Sequence, residues 1–470
     1  MVTDTAESAV GLRSERGAIL GSLMLATSLV ALDSTIIATA VLTITESLGG
    51  FAQFPWLFSI YLLAQAVTVP IYGKLSDIVG RKPVILFGIG VFALGSLLCG
   101  LAGSMLGLII FRAIQGVGAG AIQPMTMTIA GDLYNLAERA KVQGYLASVW
   151  AISSVAGPLL GGVFAEYIGW RWIFLINIPI SALAGWMLLR KFTETAPRRR
   201  QRVDYLGATL LTLGAGALIL GLLEGGQAWA WQSPASIAIF TGGVVVIGLF
   251  VWVQTRAEHP ILPLWLFTRR VVVASSAVSL MVGALLLGLT SYVPTFAQGV
   301  LGTGALVAGL TVGALTLGWP LAASQAGRVY LRLGFRNTAL IGSSLAAVGA
   351  ASMLLIDAQS PLWQVAASCF LIGSGMGLVA TPTLIAAQTS AEWSERGVVT
   401  SANMFARSLG SAVGVAVFGA IVNARIGDTD SPAPEVLADA VHLVFIAVLV
   451  TTVLTVLACA MMPRRSGDSL

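Results

Sequence analysis

Charge is scarce in this sequence: Asp, Glu, Lys and Arg make up 10% of its 470 residues, against roughly 25% in an ordinary soluble domain. That shortage argues against a soluble globular protein. Histidine is nearly missing as well. His259 in a loop and His442 at the end of an apolar run form no HExxH helix and no nucleophile–base pair, which argues against a membrane-embedded enzyme. Cys99, Cys369 and Cys459 all fall inside apolar runs, without metal-ligand spacing or a disulfide partner, and read as small buried hydrophobes. No metal and no other cofactor is expected. No polar stretch is long enough for a signalling domain, so a transport-inactive sensor or scaffold has little to rest on.

What the chain has in abundance is apolar sequence, 57% of its residues. It comes in fourteen blocks, near 18–45, 54–72, 83–103, 105–130, 142–166, 172–191, 205–223, 235–254, 271–293, 303–324, 338–356, 362–388, 398–423 and 440–462. Each is long enough to cross a hydrocarbon core about 30 Å thick as a helix. A β-barrel would show alternating polarity over about 10 residues, which these continuous runs do not. The expected fold is an all-α integral membrane bundle. Residues 1–16 are mostly polar and the first apolar block carries Asp33 mid-run, so it is expected to be retained as a span rather than cleaved.

Placing the loops alternately on two faces puts nearly all of the 26 Lys and Arg residues on one of them. Arg171 and Arg425 fall opposite, and Arg112 and Arg407 lie within spans. The basic face is cytoplasmic by the positive-inside rule, and both termini belong to it. The net charge of +5 is thus explained by topology, and no nucleic acid partner is expected. The run Arg198 to Arg202 is expected to fix topology and face lipid phosphates.

The chain also repeats itself. Gly116, Gly118 and Gly120 recur 257 positions later as Gly373, Gly375 and Gly377. Glu138 and Arg139 recur at the same offset as Glu395 and Arg396, and Gly157 and Gly162 as Gly414 and Gly419. Two units of six spans separated by two further spans account for this offset. The boundaries are 1–192 for the first bundle, 193–270 for a linker with two extra helices, and 271–470 for the second bundle.

Four motifs carry the chemistry. GKLSDIVGRK contains Gly73, Asp77, Gly80, Arg81 and Lys82: glycines for a tight turn, a carboxylate able to pair with a cation or helix N-terminus, and two cations. Its second copy, Gly327 to Arg336, keeps both glycines, Arg328 and Arg336 but has Leu331 in place of the acid. RAIQGVGAGA places Arg112 and Gln115 inside a span. A guanidinium there costs at least about 2.5 kcal/mol, so it should face a carboxylate, a carbonyl or water. GPLLGG supplies Gly157, Pro158, Gly161 and Gly162, fitting a kinked, close helix contact. LDST places Asp33 near mid-membrane, where burial disfavours a charged carboxylate and suits it to exchange protons.

Together with the duplicated halves and the run WRWIFLINIP from Trp170 to Pro179, these motifs resemble the major facilitator superfamily, in particular its fourteen-helix drug/proton antiporter family. The resemblance covers nearly the whole chain. Ala38 and Leu42 stand where that family has Asn and Pro. The resemblance implies two six-helix bundles rocking about a midplane site, with Gly73, Asp77, Gly80, Arg81 and Lys82 as a conformational latch. It implies proton coupling through Asp33 and Arg112, and Arg407 joins them as a deep cation able to pair with Asp33 or bind an anion. The expected activity is proton-driven export of lipophilic, often cationic compounds from a bacterial inner membrane. Export of a specific metabolite, siderophore or lipid is the alternative. Candidates for the cargo site are Tyr61, Gln115, Trp150, Glu166, Glu224, Asn403, Met404 and Phe405. Partners are the small-molecule cargo, protons and membrane lipids, and a monomer is expected.

Overall fold

The computed structural model describes residues 10–37, 40–49, 56–194, 204–226, 229–258, 260–426 and 433–463. The first half comprises α1 (Gly17–Ile36), α2 (Val41–Leu48), α3 (Trp56–Val79), α4 (Arg81–Gly100), α5 (Met105–Leu133), α6 (Leu136–Val163, continued by a π-turn at Phe164–Ile168), α7 (Trp172–Leu175) and α8 (Asn177–Lys191). A hairpin of α9 (Tyr205–Glu224) and α10 (Pro234–Gln254) follows. The second half is α11 (Arg270–Gly299), α12 (Ala305–Leu333), α13 (Phe335–Met353), α14 (Leu362–Thr389), α15 (Arg396–Ile426) and α16 (Pro434–Ala460). The basic run Arg198 to Arg202 lies outside the described residues.

Among the described residues, thirteen spans are long and apolar enough to cross a membrane. Short α13, diluted by Gly, Ser and Asn, is packed between α14 and α16 and completes the fourteen crossings expected. Several helices outrun the apolar blocks, α3 ending at Val79 and α12 at Leu333 where 72 and 324 were expected, and two differences change the reading. The first block, 18–45, is not one helix: α1 ends at Ile36 and α2 begins at Val41. The block expected at 142–166 begins at Leu136, because Asn135 and Glu138 form a reciprocal capping box below the membrane-length run.

Each half has its own apolar core, one around Phe92, Ile122 and Leu146, the other around Phe296, Ile372 and Phe445. The repeated glycines serve the same contact in both. A side chain at Gly118 would meet the backbone of Phe92 on α4, and one at Gly375 the backbone of Ala346 on α13. A side chain at Gly157 would collide with Thr35 on α1, and one at Gly414 with Ala284 on α11. Another pair of matching contacts ties the start of each half to its later helices. Arg16 donates to the Leu133 carbonyl (2.7 Å) and reaches Glu138 (3.4 Å); Arg269 donates to the Ser390 carbonyl (3.1 Å) and to Glu395 (3.0 Å). The duplication read from the sequence is thus a duplication of packing.

The halves meet along two seams, α3 against α15 and α6 against α12. The extra hairpin covers the first: Leu211, Ala215 and Ile219 of α9 pack on Ala66 and Val67 of α3 and on Val399 and Ala412 of α15, while α10 lies outside α9. The second seam stays uncovered and bears a groove of about 850 Å³ lined by residues including Tyr145, Ile152, Val155, Leu317 and Leu321.

Candidate functional site

Asp33 is the acid in the last turn of α1, and it is 1% exposed. Because a carboxylate so placed must be paired, its surroundings are built of donors. Arg112 Nη1 lies 2.5 Å from Oδ2, Gln115 Nε2 donates to Oδ1 at 2.7 Å, and Asn177 Nδ2 donates to Oδ1 at 3.3 Å. Arg112 and Gln115 are three apart on α5 and so share a face, and Arg112 also donates to Gln115 Oε1 at 2.7 Å. Arg112 Nε reaches the Leu57 carbonyl of α3 at 3.1 Å, and Ser96 of α4 accepts from Gln115 at 2.8 Å. The guanidinium stands 4.1 Å over the Tyr61 ring and 5.9 Å from that of Phe174. One ion pair therefore gathers α1, α3, α4, α5 and α8. Two atoms within it, the Tyr61 hydroxyl and Asn177 Oδ1, are buried without a hydrogen-bond partner.

The sequence led to Asp33, Arg112 and Gln115. It missed Asn177 and Ser96, although Asn177 stands inside the WRWIFLINIP run. Tyr61 and Gln115 belong to this network: Gln115 bonds both Asp33 and Arg112, and the Tyr61 ring lies under the guanidinium. Arg407 is not among the groups that reach Asp33 and stands instead in the second half, its guanidinium 5.6 Å from the Trp319 ring. Trp150 packs on the first core, and Phe405 turns toward the α9 cluster. Met404 is buried, and Asn403 accepts from Ser279 at 2.6 Å. Glu166 is exposed in the π-turn, and Glu224 is buried at the far end of α9. Of the GPLLGG residues, Gly157 makes the close contact with α1, Gly161 is buried and Gly162 faces open space. The side chain of Pro158 lies outside the described residues.

The GKLSDIVGRK loop reaches across to the second half. Asp77 accepts from the backbone N–H of Gly397 (3.1 Å) and Val398 (2.9 Å), filling the unsatisfied donors of the first turn of α15. Close approach needs glycine on both sides: a side chain at Gly73 would collide with Ser401, and one at Gly397 with Ser76. Gly80 turns the chain with φ +104°. Arg81 pairs with Asp77 (3.0 Å) and Asp132 (3.1 Å), donates to the Trp393 carbonyl (2.6 Å) and stacks 3.6 Å over the Trp393 ring. Asp132 is shared with Arg396 of the second half at 3.0 Å. Lys82 stays within the first half, donating to the Leu189 and Phe192 carbonyls at the end of α8. Glu194 caps α4 through the N–H groups of Arg81 and Lys82. The sequence did not single out Asp132 or Glu194. In the second copy Leu331 is exposed and makes no such cap, and Tyr330 bonds the Leu136 carbonyl instead.

Nearly all polar contacts described between the halves lie at the end that carries the GKLSDIVGRK loop, with Ser154 to Thr316 (3.3 Å) the farthest from it. The conformation is closed at that end.

Comparison with known proteins agrees with this architecture. A family model described as Major Facilitator Superfamily matches residues 23–415. The chain is 36% identical over 424 residues to "Multidrug resistance protein 3" of Bacillus subtilis (strain 168), covering 90% of this chain and 81% of that protein. It is 33% identical over 426 residues to "Multidrug transporter protein MdtP" of the same organism, covering 90% and 79%. Among solved structures, the human organic anion transporter MFSD10 (TETRAN) aligns with a TM-score of 0.69 at 15% identity, over 95% of this chain and 100% of that one, which is a likeness of fold.

Proposed function

The chain belongs to the Major Facilitator Superfamily, and from that premise we propose that it exports lipophilic drugs or toxic compounds across the plasma membrane in exchange for protons. The observation that carries the reading is the Asp33–Arg112 pair, a titratable group buried at the junction of the helices that must move if the first half is to rock. The names of relatives that share a third of its residues support the export of drugs.

In the cytoplasm-closed form the ionised carboxylate of Asp33 neutralises Arg112. A proton arriving from outside removes that charge and weakens the bonds from Arg112, Gln115 and Asn177, so that α1 is no longer held to α5. The halves then part at the cytoplasmic end, where Asp77 must leave the first turn of α15. Cargo entering there favours loss of the proton inward, and the return closes the cycle. The scheme draws its energy from protons moving inward down their electrochemical gradient. Net charge moved per cycle contributes about 2.3 kcal/mol per 100 mV, so the charge of the cargo decides whether membrane potential helps.

Purified protein in liposomes under an imposed pH gradient provides the test, with ethidium movement and lumenal pH followed together. Dye accumulation accompanied by proton flux in the opposite direction is expected. Dye movement indifferent to the gradient would overturn the proton-coupled reading.

A further inference from the structure

Arg407 has no part in the scheme above, yet an uncompensated guanidinium in a membrane helix is costly and usually marks a ligand or an ion path. Five of the six helices of its half, α11 to α15, contain no Asp or Glu, and the acids of α16, Glu435 and Asp439, stand in the first two turns of that helix. Asp33 is already committed to Arg112. Arg407 is half-buried, and its Nε is buried without a hydrogen-bond partner among the described residues. One turn earlier on α15, Asn403 is 1% exposed; its Oδ1 accepts from Ser279, and its Nδ2 also has no partner.

Helical geometry says which way this pair points. On α15, Gly410 and Gly414 pack on α11 and Gly397 faces α3, and Arg407 falls on the arc between them. On α12, Leu310, Leu317 and Leu321 are exposed on one side, and Trp319 lies on the opposite side. The two side chains thus meet, 5.6 Å from guanidinium to ring centroid, on the face of the second half turned to the space between the halves. Two spare donors and an indole face make a receptor for a flat molecule bearing a negative group.

We propose that Arg407, Asn403 and Trp319 form an anion-binding subsite in the wall of the transport cavity, and that its ligands are amphipathic aromatic anions: a carboxylate or sulfonate on the Arg407 guanidinium and the Asn403 amide, with the ring system against Trp319. This rests on the export reading and names a cargo class for it. With Asp33 and Arg112 cancelling each other, the charge left for cargo is positive, so anions are favoured over the cations that the family resemblance implied. Exchange of a monoanion for a proton moves net positive charge inward, and an inside-negative potential accelerates it; exchange of a monocation for a proton is insensitive to potential.

The test uses the full chain in nanodiscs of zwitterionic lipid and two probes that differ by one sulfonate, 8-anilinonaphthalene-1-sulfonate and neutral N-phenyl-1-naphthylamine. Binding is followed by fluorescence polarisation with the empty-disc signal subtracted. Arg407→Gln is expected to weaken sulfonate binding at least tenfold and to change binding of the neutral probe less than twofold. Asn403→Asp, which sets a carboxylate one turn from an intact Arg407, is expected to do the same and decides the matter if Arg407→Gln does not fold. Unchanged sulfonate affinity in these variants, or an equal loss for both probes, overturns the subsite. If the sulfonate binds through Arg407 but a pH gradient moves neither it nor ethidium in liposomes, the export reading fails and the subsite stands. If ethidium is pumped while Arg407→Gln binds the sulfonate normally, the subsite fails and export stands.

Discussion

At the scale of single residues, the Asp33–Arg112 pair makes a prediction about stability that is separable from transport. Removing one partner of a buried pair strands the other charge and costs about 3–5 kcal/mol, whereas replacing both by neutral groups is often nearly free. Arg112→Leu should therefore lower thermal stability sharply, and Asp33→Asn with Arg112→Leu should recover most of it while leaving proton-driven transport dead. Cys99, Cys369 and Cys459 are all buried and free, so a thiol-reactive dye added during heating reports unfolding directly. A double variant as unstable as Arg112→Leu would contradict the pairing. Asp33 and Arg112 were legible in the sequence because charges inside apolar runs are rare. Asn177 and Ser96 were not, since a small neutral polar residue is common in a membrane helix and only folding brings α4 and α8 to α1. Arg407 was legible as a deep charge, but its distance from Asp33 was not, because sequence does not say which face of α15 meets which half.

Among the helical elements, the latch is a helix cap supplied in trans. Asp77 fills the first turn of α15 and Arg81 reaches the Trp393 ring, so both contacts tie the two halves together at this end. Losing a capping acceptor costs about 1 kcal/mol, which corresponds to roughly a fivefold shift between closed and open forms. Asp77→Ala should move the population that far toward the cytoplasm-open form. Spin labels at the exposed positions Lys141 and Arg328, read by pulsed electron resonance, should then show a longer distance gaining weight; an unchanged distribution would mean the cap does not hold the closed state. The motif's glycines and acid were readable through its resemblance to the superfamily's signature loop. Its partners were not: Asp132 and Arg396 sit near the membrane boundary, where a charge is unremarkable until the two halves are brought together. The break between α1 and α2 was equally hidden, because apolarity runs on through Val41 and Leu42.

For the whole molecule, the periodic glycines were enough to read a repeated packing unit, since they follow from packing distance, and the basic loops carry the expected orientation. The place of the extra hairpin was out of reach, because α9 and α10 are apolar all round and offer no face to choose. The structure sets α9 across the α3–α15 seam and leaves the α6–α12 seam to the bilayer, an asymmetry the duplicated halves alone would not have. In the proposed cycle coupling unites these parts: one buried carboxylate joins the helices of the first half, and its protonation is to be felt at the Asp77 cap. The most direct measurement compares the unmodified chain with Asp33→Asn in liposomes under two conditions, ethidium equilibrating down its own gradient with no pH difference, and ethidium accumulating against its gradient with one. The account predicts that Asp33→Asn keeps downhill equilibration and loses proton-driven accumulation together with the accompanying change in lumenal pH. Accumulation by Asp33→Asn at the unmodified rate, with protons still flowing, would contradict it.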